Sequence, residues 1–277
     1  MSPTPTVPLI RIRACGPAQD AGLRAVWASR ELLLSFCERE FAVRHRQTLL
    51  GPFWTILQPL LHTAVFVVFM HNFARVPSDG APYSLFAYAG LIPWLFVSNS
   101  VQSLSYGLMM NAHLVTRVYF PRLIIPLSMI LVRLFDFGAA TLAFFVVAAA
   151  LGVSPSVYLF LLPLFMLHAA VLALAVGAWC SCLISRYRDF GTLLPVVLQL
   201  AMFGSPVIYP SSLVPAHLRS LYFLNPMAAI VEAFRDSILG RPFAVEPWLV
   251  SFAITIVLAY ALIRSFVGQE QHAVESL

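Results

Sequence analysis

The chain has 277 residues, of which 60% are hydrophobic and 10% charged, and its mean hydropathy is +0.84; soluble chains of this size stay near half apolar, which excludes a water-soluble globular enzyme. Its net charge of +5 rests on 17 basic residues, all of them arginine. Without lysine there is no GxxxxGK[ST] phosphate loop, whose lysine must reach the terminal phosphates, so any ATP the protein's work consumes is bound by another subunit.

The first 22 residues are rich in Pro, Thr and Ala and lack the apolar core of a signal peptide; they read as a flexible cytoplasmic leader. Residues 23–50 mix Arg24, Arg30, Glu31, Glu38, Arg39, Glu40, Arg44 and Arg46 with Leu32, Leu33, Phe36 and Phe41. That pattern predicts an amphipathic helix with a basic end, lying along the headgroups.

Residues 51–267 then hold six apolar segments, each near the ~20 residues needed to cross a ~30 Å hydrocarbon core. They run about Phe53–Phe73, Leu85–Met110, Leu123–Leu151, Val157–Ile184, Phe190–Tyr209 and Trp248–Val267, followed by a short tail at 268–277. Pro59 and Pro93 are expected to kink or break the first two. With the N-terminus inside, twelve arginines fall in cytoplasmic stretches, whereas only Arg75, Arg219, Arg235 and Arg241 fall outside. This bias places both termini in the cytoplasm and explains the basic balance without a nucleic-acid partner.

Within the first segment, His62, Phe66, Phe69 and Phe73 recur at spacings of four, three and four and stripe one face. The stripe fits packing against lipid or a neighbouring helix, or a path on which sugar rings slide over aromatic faces. The connection at 111–122 breaks two oily stretches with Asn111, His113, Arg117 and Arg122. In the third segment Arg133 and Asp136 share a face at i,i+3. A proton relay and a neutralised structural pair both fit that spacing, and the absence of further buried acids favours the structural pair. Ala169, Ala173 and Gly177 make a small-xxx-small face in the fourth. The loop SRYRDF that follows is dense in contact-forming groups: Arg186, Tyr187, Arg188, Asp189 and Phe190.

Between the fifth and sixth segments, residues 206–246 carry five prolines, and Pro247 follows directly. Asn225-Pro226 reads as an N-cap with its first helical residue, and Gly240 as the stop. Two helices too short to span follow, about Pro215–Tyr222 and Pro226–Leu239, and they read as re-entrant. The expected fold is thus an all-α polytopic membrane protein with six transmembrane helices, an amphipathic interface helix and two re-entrant helices. Cys15, Cys37, Cys180 and Cys182 show neither disulfide nor metal-ligand spacing, and no nucleophile elbow, HExxH or carboxylate cluster points to catalysis.

The stretches QTLLGPFWTILQPLLHTAVFVVF, VPSDGAPYSLFAYAGLIPWLFVSNSV, NAHLVTRVYFPRLIIPL, SRYRDFGTLLPVVLQLAMFGSPVIYP and LNPMAAIVEAFRDSILG occur in that order. Together they resemble the membrane subunit of bacterial type-2 ABC exporters of surface polysaccharide, the Wzm, KpsM and TagG permeases, with PSDGAPY and FAYAGLIPW nearest the O-antigen branch. The resemblance implies a homodimer docked on two Wzt-like nucleotide-binding subunits, which use the ATP and Mg; this chain itself binds no cofactor. It also implies an undecaprenyl-diphosphate-linked glycan as cargo in the bacterial inner membrane, and a coupling helix at 111–122. His113, Arg117 and Tyr119, with Arg186, Tyr187, Arg188 and Asp189, are then the residues expected to meet the ATPase. A type-2 exporter of a drug or lipid, and a membrane transferase acting on polyprenyl-linked sugars, are the alternative readings.

Overall fold

The computed structural model describes residues 23–45, 51–117, 120–152, 157–242 and 244–275, and among them the regular structure is entirely helical. The N-terminal region forms two helices, α1 (Leu23–Ala28) and α2 (Arg30–His45). Leu32, Leu33 and Phe36 turn one face of α2 onto the core, while Leu34 and Val43 stay exposed on the other. Residues 46–50 of the expected interface helix lie outside the described residues.

The next helix, α3 (Trp54–Phe66), runs through Pro59 without ending there. The Thr63 hydroxyl donates to the Pro59 carbonyl at 2.8 Å. From Val67 to Phe73 the winding relaxes to a π-helix. The 4-3-4 stripe presumes 3.6 residues per turn throughout, so Phe69 and Phe73 swing away from the line of His62 and Phe66. Both are well exposed, and their rings lie 6.0 Å apart.

α4 (Tyr83–Ser105) is the hub of the bundle: most of its residues are buried, Pro93 sits inside it, and it packs on α3, α7 and α8. Two short helices follow, α5 (Gly107–Met110) and α6 (Ala112–Arg117). The long apolar α7 (Ile124–Ala150) and α8 (Leu162–Arg186) come next. The small-residue face of α8 does what its spacing implies. Ala169 and Ala173 are fully buried, and a Cβ on Gly177 would stand 2.7 Å from Leu104 Cβ on α4. Only glycine lets the two backbones approach so closely.

α9 (Asp189–Phe203) is shorter than the expected fifth segment. Its 15 residues rise about 22 Å, against ~30 Å of hydrocarbon. It stops at Gly204 because Ser205 precedes Pro206, and a residue before proline avoids the α region. Among the described residues, five stretches are long and apolar enough to cross a bilayer: Gly51–Phe73, Tyr83–Ser105, Ile124–Ala150, Val157–Arg186 and Val245–Gln269. This is a multi-pass membrane protein.

After the break come α10 (Ala216–Tyr222) and α11 (Pro226–Leu239), then the closing helix α12 (Val245–Glu275), which continues through most of the expected tail. The ends of α11 follow from three residues. Asn225 Oδ1 accepts the Met227 N–H at 3.0 Å, and Pro226 opens the first turn. Gly240 takes a left-handed φ of 77°, which lets the Arg241 N–H return to the Asp236 carbonyl at 2.8 Å. The same Asn225 amide donates to the Gly204 carbonyl and Ser205 Oγ, both at 3.1 Å, and so pins the broken end of α9 to the start of α11.

Candidate functional site

At the α2 end of the bundle, three separate stretches meet. Phe36 of α2 packs on Phe120 with ring centroids 5.5 Å apart, and the Arg39 guanidinium lies over Phe36 at 5.2 Å. Arg39 also donates to Asn111 Oδ1, while Asn111 Nδ2 donates to the Gly107 carbonyl at 2.8 Å. Asn111 therefore holds the start of α6 to both α2 and the preceding turn. His113 lies on the exposed side of α6 and Arg117 is its last residue; Tyr119 falls outside the described residues.

The Arg186–Phe190 connection belongs to the same end. Tyr106, at the close of α4, donates its hydroxyl to the Gly191 carbonyl at 3.0 Å. A Cβ on Gly191 would stand 2.7 Å from that hydroxyl, so the glycine is what admits it. Arg186, Tyr187, Arg188, Asp189 and Phe190 are all exposed. Arg186 stacks on Tyr187 at 5.2 Å, and Tyr187 and Phe190 lie 6.1 Å apart. The fold thus gathers the basic helix, the α6 turn and the SRYRDF loop at one end, where cationic and aromatic groups face outward.

Above this face lies a polar cavity of about 50 Å³, bounded by α2, α3, α4 and α7 and lined by Arg44, Thr55, Gln58, Asn99, Arg133 and Asp136 among apolar neighbours. The expected Arg133–Asp136 ion pair is not what closes it. Asp136 pairs with Arg44 and accepts the Thr55 hydroxyl at 3.2 Å, whereas Arg133 donates to Ser103 Oγ. The reason is tertiary: α2 lies across α7, bringing Arg44 to Asp136 as Phe41 meets Phe135 edge-on at 5.6 Å. His62 stands one turn above on α3, its ring bonded to the Gln58 carbonyl at 2.8 Å.

The opposite end is held by an arginine of the 226–239 helix that the charge bias counts among the outside residues. Arg235 of α11 is only 2% exposed. Its Nε donates to the Phe86 carbonyl at 3.2 Å, and Nη2 donates to the Pro206 and Val207 carbonyls at 2.6 and 2.9 Å. The guanidinium lies 3.8 Å from the Phe86 ring centroid, and a Cβ on Gly90 would strike Nη2 at 2.2 Å. One cation thereby ties α11 to the hub helix and to the chain break after α9. The signal for it is present in the sequence: Arg235 follows Val231 by four and precedes Ile238 by three, both on the buried face.

Around it, Ser211 donates to Glu232, and Ser212 donates to both Asp79 oxygens at 3.0 and 3.2 Å. Arg241 donates to the Ser78 and Asp79 carbonyls at 3.1 and 2.5 Å. The PSDGAPY motif is thus the loop that α11 and the chain break lock down. Burial, followed by the neighbouring Glu232 carboxylate, pushes the Asp236 carboxyl up to about 7, and burial also raises Glu232. An acid raised on folding binds its proton more tightly in the native state. This contribution to stability is therefore full below about pH 4 and is lost as pH rises through 7. Thermal unfolding in detergent should show a midpoint that falls over that window, and Asp236→Asn should flatten the fall.

The ABC-2 type transporter family matches residues 31–239, from α2 to the end of α11. The chain is similar to an O-antigen export system permease protein of Myxococcus xanthus, 28% identical over 258 residues that make up 92% of this chain and 98% of that one. A Klebsiella pneumoniae protein of the same name is 24% identical over 207 residues, 74% of this chain and 79% of the relative. The matched region holds the polar cavity, the outward cationic loops and the Arg235 clamp together, and the chain belongs to the ABC-2 type transporter family.

Proposed function

We propose that this chain is the transmembrane subunit of an ATP-driven exporter that carries an undecaprenyl-diphosphate-linked polysaccharide, an O-antigen-like surface glycan, across the bacterial inner membrane. The observation that carries the reading is its similarity, over 74–92% of the chain, to relatives named as O-antigen export permeases. Both termini are cytoplasmic in this reading, as the arginine bias requires. The shorter α9 is the fifth of six spans, and α10 and α11 are re-entrant.

Two copies pair, each docked on a Wzt-like nucleotide-binding subunit that binds the ATP and Mg; this chain holds no cofactor. The largely exposed apolar faces of α3 and α9 are the surfaces available to the second copy and to the glycan path along Phe66, Phe69 and Phe73. His113, Arg117 and Tyr119, with Arg186 to Asp189, meet the ATPase. Membrane lipids cover the remaining apolar surface.

Arg117→Glu tests the docking face. Co-purification of the ATPase and surface glycan should both drop at least about tenfold, as expected when a charge pair becomes a like-charge contact worth several kcal/mol, while Arg117→Lys retains both. Wild-type assembly and export by the glutamate variant would refute the assignment.

A further inference from the structure

We infer that the cavity between α2, α3, α4 and α7 is a binding site for a phosphate-class anion, and that its occupant is the diphosphate head of the exported lipid carrier. The inference rests on the export reading for the identity of the carrier; the anion site itself rests on geometry. The cavity's volume of about 50 Å³ is several times the roughly 10–15 Å³ that admits one water, and matches a tetrahedral oxyanion better than a single solvent molecule.

The charges facing it do not balance. Arg44 and Arg133 line the cavity with one carboxylate, Asp136, and that carboxylate is already engaged by Arg44 and Thr55. Arg133 has no ion pair among the described residues; its one hydrogen bond there is to Ser103 Oγ, although a guanidinium carries five N–H donors. Asp136 and Glu40 act on it only through space, without touching it. The residue lies nine positions into α7, about 13 Å along the helix, where a guanidinium that no carboxylate touches is costly to hold. An incoming anion supplies the missing counter-charge.

Neutral donors complete the recognition. Asn99 Nδ2 donates to Gln58 Oε1 at 3.3 Å, which leaves the Gln58 amide N–H2 group without a hydrogen-bond partner among the described residues. A planar guanidinium beside amide donors is the arrangement that grips phosphate oxygens. Thr55, Gln58 and Pro59 of α3 line the cavity, and little of α3 is buried, so a lipid-borne head group can approach along that helix.

The test uses the full chain purified with its ATPase partner, and follows the thermal midpoint against added undecaprenyl diphosphate, phosphatidylglycerol and inorganic pyrophosphate. Undecaprenyl diphosphate should raise the midpoint in the wild type. Its apparent affinity should fall about tenfold or more in Arg133→Gln, the loss expected for a hydrogen-bonded charge, and be largely kept in Arg133→Lys. Pyrophosphate binding with the same dependence on Arg133 supports the anion site; binding of phosphatidylglycerol as tight as that of the diphosphate overturns the carrier as its occupant.

Equal affinity in wild type and Arg133→Gln overturns the site. If Arg133→Gln does not fold, Gln58→Ala and Asn99→Ala carry the same test, because both line the cavity without taking part in an ion pair. Surface glycan measured in the same strains separates the two readings. Export without diphosphate binding overturns the site alone, whereas diphosphate binding with surface glycan unchanged by deletion of the gene overturns the export reading alone.

Discussion

Arg235→Met should cost roughly 3–5 kcal/mol of stability, as expected when a buried, multiply bonded charge is removed and its acceptors are left behind. Two of the three carbonyls it serves, on Pro206 and Val207, lie in the chain turn after α9, and the third, on Phe86, lies in the first turn of α4. Buried carbonyls without donors have no water to turn to. Arg235→Lys should recover less than half of the loss, because an ammonium cannot fork to three acceptors and lie flat on the Phe86 ring. Gly90→Val should fail similarly, since any Cβ there collides with the guanidinium. The unfolding midpoint in detergent and the yield of folded protein are the readouts. A near wild-type midpoint for Arg235→Met would mean that α11 is held by its apolar face alone.

Asp136→Ala should be the next most damaging change. It strands Arg44, whose side chain is 26% exposed, beside Arg133 with no carboxylate between them. Breaking a buried pair costs 3–5 kcal/mol, and partial exposure of Arg44 brings the expected loss to roughly 2–4 kcal/mol. The exchange Arg44→Asp with Asp136→Arg should restore part of the midpoint that either single change loses. If the double variant is no better than the sum of its parts, the pair is not a functional contact between α2 and α7.

The local features of this fold were legible because local chemistry decides them. Asn225-Pro226 and Gly240 marked the two ends of α11, and the caps form as those residue types require. Ala169, Ala173 and Gly177 announced the close approach of α8, although not that α4 would be its partner. Pairwise geometry beyond one helix was not legible. The i,i+3 spacing of Arg133 and Asp136 is real, yet Arg44 arrives from α2 and takes the carboxylate. The alignment of the aromatic stripe on one line was not legible for another reason: the sequence shows a period of 3.6, while the backbone changes winding at Val67. Arg235 was counted as an outside charge because topology counting treats every loop arginine as solvated, whereas the amphipathic pattern of α11 places it on the apolar face. Of the residues proposed to meet the ATPase, the described ones are brought to one end by contacts such as Tyr106 with Gly191 and Arg39 with Asn111, neither of which has a sequence signature.

The most direct test of the export account is the fate of surface glycan when the gene is deleted and cells are fed labelled sugar, then fractionated. The account predicts full-length polymer retained on undecaprenyl carriers at the cytoplasmic face, with surface glycan restored by the wild-type gene and not by the Arg117→Glu variant. Undiminished surface glycan in the deletion strain, or loss of polymer synthesis itself, would contradict it.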